Sequence, residues 1–172
     1  MTIALPAAPA PAPRRQILVA TAIACASAFM LIIGMIAMWL KFRAGAPMRD
    51  SSDGLKIIKD WMPAGVKIPE VAANVMLITF PVGALMAQWA SYSAKRNDAP
   101  HRSLALAISF LIGLAVVNAQ VAVYAQMDIG LADGQFQTMF YAITGTMLLL
   151  VVGGMAFSLV AFFRSVGGRD ND

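Results

Sequence analysis

The sequence predicts an all-α integral membrane protein, a four-helix bundle with both termini in the cytoplasm. Three observations lead there. Of the 172 residues, 59% are hydrophobic and only 13% charged, whereas soluble domains run at about 45–50% apolar and about 25% charged. All 13 basic and 9 acidic residues lie outside four windows, 17–40, 71–94, 103–127 and 134–163. Each window exceeds the span of about 20 apolar residues that crosses a bilayer at 1.5 Å rise per residue. The third observation is the placement of basic residues in the two short loops. The 95–102 loop carries Lys95, Arg96 and Arg102, while the link around Asp128 and Asp133 carries no Lys or Arg. Short loops follow the positive-inside rule best, so 95–102 and both termini are assigned to the cytoplasm.

This composition excludes a soluble enzyme, a disordered chain, a nucleic-acid-binding domain and a disulfide scaffold. The net charge of +4 sits beside the spans, where it meets anionic lipid head groups and not nucleic acid.

The elements follow in order. Residues 1–15 are rich in Ala and Pro and end in Arg14 and Arg15; such a tail buries no core and is expected to be disordered. A single membrane domain covers 16–166. Its first span, about 17–40, is too long for a signal-peptide core and is followed by Lys41 and Arg43, so it is retained. Cys25 lies mid-span with no second cysteine to pair with, and reads as a small buried hydrophobe. Ala20, Ala24 and Ala28, and again Gly154 with Ser158 in the last span, form small-residue rows suited to close helix packing.

The longest loop, 41–69, contains Ser51, Ser52 and Asp53 ahead of Leu55, Ile58 and Met62 at helical spacing. Lys56, Lys59 and Asp60 fill the other face and Trp61 the boundary. That pattern predicts a short interfacial helix over 53–62, ended by Pro63. Pro69 suits the first turn of the second span, about 71–94. Pro81 inside that span leaves a carbonyl to be satisfied, for which Thr79 is a candidate. The third and fourth spans are about 103–127 and 136–163, and 167–172 is a polar tail.

No His, Asp, Glu, Lys or Arg interrupts any span. Intramembrane ionisable residues mark proton relays and ion paths, so neither chemistry has support here. No catalytic, cofactor-binding or metal-ligating residue is predicted. His101 has no partner ligands in sequence. Asp50, Asp53, Asp60 and Glu70 alternate with Lys56, Lys59 and Lys67 as a solvated surface. Twelve methionines, Met35 and Met38 among them, do not specify copper without His or Cys nearby. The amides Asn74, Gln88, Asn118, Gln120 and Gln126 are expected to bond between helices.

Phe140, Tyr141, Thr144 and Gly145, followed by Gly153 and Gly154, resemble the penultimate helix of the cytochrome c oxidase subunit III family. Gly34 with Lys41, Phe42 and Arg43 resembles the family's first helix in its short bacterial form, and 68–94 and 103–126 fall where the next two helices belong. The resemblance covers about 17–166. It departs at every ionisable intramembrane position of the family pattern: a glutamate falls near Ala28, another near Val121 or Ala122, and two histidines at Met147 and Leu150. The family pattern also adds a helix beyond Asp172. The resemblance implies a non-catalytic accessory subunit of a respiratory terminal oxidase in the inner membrane of a bacterium. Its partners would be the haem-copper catalytic subunit, other respiratory subunits and lipid. Attachment to a nitric oxide reductase, and a free-standing tetraspan assembly factor or small transporter, are the alternatives.

Overall fold

The computed structural model describes residues 15–51, 54, 56–63, 65–131 and 133–167. Of the Ala/Pro-rich tail, 1–14 lie outside the described residues, as do Ser52, Asp53 and Leu55 of the loop and 168–172 of the polar tail. Four long helices account for most of the chain: α1 (Arg15–Gly45), α2 (Glu70–Lys95), α3 (Ala99–Met127) and α4 (Gln135–Val166). All four are long and apolar enough to cross a membrane. Each charge-free window lies within one helix apart from its edges, and the helices run past the windows because a charged residue does not end a helix. It only marks where the hydrocarbon stops.

The main interfaces join α2 to α3 and α3 to α4, and α1 leans more lightly on α4. Side chains of α3 carry the packing: Ala105, Val116, Gln120, Val123 and Met127 are buried at helical spacing on its inner face. Among the described side chains of α1 only Ala28, Ile32, Met35, Trp39 and Phe42 are half-buried, at alternating spacings of four and three. Residues 18–27 of α1 are exposed throughout. The C-terminal half of α1 therefore packs and the N-terminal half stands clear. Cys25 lies in that clear half and is exposed, which corrects the expectation of a buried thiol. The alanine row ending at Ala28 likewise finds no close helix neighbour over most of its length.

Gly83 and Gly113 permit the two tight interfaces. A Cβ on Gly83 would stand 2.9 Å from Ile112 Cγ2, and one on Gly113 would stand 2.6 Å from Met155 Cγ. Thr79 Oγ1 donates to the Val75 carbonyl at 2.6 Å. It therefore does not serve the carbonyl of Leu77, one turn before Pro81, as the sequence suggested.

The predicted interfacial helix over 53–62 is replaced by an antiparallel hairpin of β1 (Met48–Asp50) and β2 (Ile57–Lys59), with Arg49 opposite Ile58. The physical reason is local. Two turns are too short to hold a helix alone, adjacent Ile57 and Ile58 favour extended backbone, and Gly54 adopts φ +64°. A turn then closes with the Gly54 N–H donating to the Ser51 carbonyl at 2.8 Å. Lys59 Nζ donates to the Ala44 carbonyl at 2.7 Å, capping the end of α1. Arg49 pairs with Asp60 at 3.0 Å and donates to the Met62 carbonyl at 2.9 Å.

The apolar core sits at this end of the bundle. Val123, Met127 and Phe136 are buried there, with Trp61, Met62, Val66 and Phe140 packed around them. Trp61 meets Trp39 of α1 edge-on at 5.6 Å and Phe136 of α4 at 5.9 Å. The loop is thus fastened to both helices by one indole.

Candidate functional site

Between the hairpin loop and the α3–α4 link lies a cavity of about 800 Å³, lined by Asp60, Trp61, Asp128, Asp133, Phe136 and Gln137 among others. Two of its three carboxylates have local work. Asp60 holds Arg49, and Asp133 Oδ2 accepts the Gly130 N–H at 2.8 Å. Among the described residues no three His, Cys, Asp or Glu side chains come together as a metal site.

Across the helices the polar joints are made by hydroxyls. Tyr124 donates to Thr144 Oγ1 at 2.7 Å, Thr144 donates to the Phe140 carbonyl at 2.6 Å, and Tyr141 donates to the Ile129 carbonyl at 2.9 Å. The Tyr124 and Tyr141 rings lie 4.9 Å apart, and Phe140 meets both. Thr146 reaches α1 through Met35 Sδ at 3.8 Å. At the opposite end Arg102 Nε donates to the buried Ser165 Oγ at 2.9 Å.

The amides behave differently from the sequence expectation. Asn74, Gln88, Asn118 and Gln126 are exposed, so they do not face a neighbouring helix of this chain. Gln120 is fully buried, yet neither its Nε2 nor its Oε1 has a partner. Uniformly apolar helices do not reveal in sequence which amide faces inward, so the signal for Gln120 was absent. The hydroxyl joints were partly legible, since Phe140, Tyr141 and Thr144 belong to the motif that carries the family resemblance.

A smaller cavity of about 180 Å³ lies between α2, α3 and α4, lined by Gly83, Ser109, Gly113, Gly154, Met155 and Ser158 among others. Gly154 and Ser158 thus border a space, not a close helix contact. Of the motif glycines, Gly145, Gly153 and Gly154 have no atom within 4 Å of where a Cβ would stand. Of the positions that the sequence resemblance sets against ionisable residues, Ala28 is half-buried on α1 and Met147 on α4, while Val121 and Leu150 are exposed.

On the 95–102 loop, His101 occupies the first turn of α3 and not a free loop. Asp98 caps α3, accepting the His101 N–H at 3.3 Å and pairing with His101 Nδ1 at 2.8 Å. The hydrogen bond from the His101 side chain, followed by that from its backbone N–H, holds the Asp98 carboxyl below its ordinary value.

Comparison with known proteins supplies what no cluster of reactive side chains supplies. The sequence pattern of the family described as cytochrome c oxidase subunit III matches residues 18–168. Cytochrome c oxidase subunit 3 of Bos taurus is 27% identical over 112 residues, covering 62% of this chain and 41% of the relative. The same subunit of Tragelaphus imberbis gives the same figures, and that of Rattus norvegicus is 26% identical over 112 residues. The chain spans 41% of the length of these relatives. With four membrane-crossing helices in a bundle and a match over nearly all of them, the chain is a multi-pass membrane protein and belongs to the cytochrome c oxidase subunit III family.

Proposed function

We propose that this chain is a non-catalytic accessory subunit of a respiratory terminal oxidase of the cytochrome c oxidase type. It packs sideways against the catalytic subunit, stabilises the assembly and binds lipid along its outer faces. The setting that fits is the inner membrane of a bacterium, with both termini cytoplasmic. Family membership supports the class of complex. The observation that carries the packing role is Asn118, an amide exposed well inside the α3 span. An amide facing hydrocarbon lacks a hydrogen-bond partner and is costly there, and a neighbouring membrane subunit supplies one. The open ground at Gly145 and Gly153 on α4 also suits close approach by a second protein's helix.

The test is gentle detergent purification through a tag on this chain, followed by absorbance spectroscopy and subunit identification. Co-purifying haem and a haem-copper catalytic subunit in equal stoichiometry support the reading. A haem-free preparation, or a sub-stoichiometric chain absent from the mature complex, overturns it. A nitric oxide reductase as the co-purifying partner keeps the packing role and replaces the oxidase.

A further inference from the structure

The cavity of about 800 Å³ between the hairpin loop and the α3–α4 link is lined by Asp60, Asp128 and Asp133 and by no described Lys or Arg. Arg49 neutralises Asp60, and Asp133 gives one oxygen to the Gly130 N–H. Asp128 closes α3 in the left-handed conformation, and its side chain makes no hydrogen bond or ion pair with a described residue. The start of α4 also borders the cavity, but its dipole amounts to only about half a positive charge. Two carboxylates outweigh it, so the space is negative.

Gln137 adds an unsatisfied amide. It is 6% exposed, its side chain lines the cavity, and it has no hydrogen-bond partner among the described residues. It stands three residues after the N-cap Gly134, where a glutamine can reach back to cap its helix, yet the cap has no side-chain hydrogen bond. A buried amide without a partner is unfavourable. Unlike the amide of Gln120, this one is not sealed from the cavity beside it.

A metal ion does not fit. It needs oxygens within about 2.0–2.6 Å of one point, and no three metal-ligating side chains converge among the described residues. Carboxylates spread around a space of this size suit a larger cation, since organic ligands occupy pockets of about 300–1,000 Å³. The rings of Trp61 and Phe136 line the same space, and a flat, delocalised cation lies well against such rings. Arg49 shows the matching donor pattern on the same loop, pairing with Asp60 and donating to the Met62 carbonyl. We propose that this cavity binds a guanidinium group. The Asp128 and Asp133 carboxylates and the Gln137 side-chain carbonyl accept its hydrogen bonds, and Trp61 and Phe136 wall it. The group belongs to a free small molecule or to an arginine of a neighbouring chain, and its chemistry is the same in both. The site goes beyond the accessory-subunit reading and does not rest on it.

The full-length chain, purified alone in detergent, is titrated calorimetrically with N-acetyl-arginine amide, whose only charge is its guanidinium. One site is expected, with N-acetyl-lysine amide binding more weakly and N-acetyl-leucine amide not at all. Asp128→Asn and Gln137→Met each weaken binding about tenfold, the loss of one hydrogen bond to a charged group. Asp50→Asn, at an exposed carboxylate of β1 outside the cavity, leaves binding unchanged. Thermal unfolding of each variant verifies that it is folded; Asp128 is exposed, so its variant keeps the fold. The proposal fails if either cavity variant binds as the wild type does, or if Asp50→Asn weakens binding equally. It also fails if the arginine compound does not bind the wild type, or if the lysine or leucine compound binds as well. Those results do not depend on any variant folding. Repeating the titration on the chain purified together with its neighbours separates the two sources. A site blocked there is filled by a neighbouring chain's arginine, and an unchanged site takes a free small molecule. The titration of the chain alone involves no partner, so its failure is distinguishable from failure of the accessory-subunit reading.

Discussion

The Tyr124 hydroxyl donates to the Thr144 hydroxyl at 2.7 Å across the α3–α4 interface, and Thr144 passes its own hydrogen to the Phe140 carbonyl. This relay splits the family-like motif into two parts with different tasks. Phe140, Tyr141 and Thr144 lock α4 to α3 and its link within the chain. Gly145, Gly153 and Gly154 add nothing to that lock and leave open space beside α4.

The relay should be measurable by a double-mutant cycle. Tyr124→Phe and Thr144→Val each destabilise the chain in detergent, and the coupling between them comes to about 0.6 kcal/mol, at most about 2. Additive single effects would show that the two hydroxyls do not depend on each other.

Gln120 offers the opposite sign. Its amide is fully buried with both polar atoms unpartnered, and a buried polar group without partners costs about 1–3 kcal/mol. Gln120→Leu keeps similar volume and is expected to raise stability within that range of about 1–3 kcal/mol. Thermal or denaturant unfolding of the two proteins checks it, and a lowered Tm for the leucine variant would mean that the amide has a partner in the membrane.

Why Gln120 and Asn118 could not be told apart in sequence follows from the solvent. In water a helix shows its buried face by being apolar there and polar elsewhere, but in lipid both faces are apolar. Charge-free runs therefore located all four helices while saying little about which side of α3 faces inward. The loop failed for another reason. Leu55, Ile58 and Met62 matched a helical spacing, but Gly54 and the adjacent Ile57 and Ile58 outweighed a two-turn pattern. The anchoring of Trp61 between Trp39 and Phe136 depends on residues far apart in sequence, which no local pattern carries.

The N-terminus of α3 makes a pH prediction. The Asp98 carboxyl is lowered by its bonds to His101, so its folded value lies below its unfolded one. The cap's contribution is therefore complete above the unfolded value and is lost as pH falls through the folded value. Asp98→Asn removes this acid-side dependence while keeping a capping side chain. Fraying of α3 followed by hydrogen exchange from neutral to acid pH checks both statements. An unchanged acid dependence in Asp98→Asn assigns it to another carboxylate.

The glycines give the prediction that separates folding from assembly. Gly83→Ala and Gly113→Ala push a methyl to within 3 Å of Ile112 and Met155, so both should loosen the isolated bundle. The stiff β-branched Ile112 makes Gly83→Ala the harder of the two to absorb. Gly145→Ala and Gly153→Ala meet no atom within 4 Å. Replacing a helix-interior glycine by alanine there should leave stability unchanged or raise it by up to about 1 kcal/mol. If the open face of α4 receives a partner helix, Gly145→Leu will also be tolerated by the isolated chain yet will abolish co-purification of the complex. The readout is the pairing of two measurements on one variant, Tm of the purified chain and yield of associated subunits. A variant that keeps both places the partner elsewhere, and one that loses both shows that Gly145 serves the fold of the chain itself.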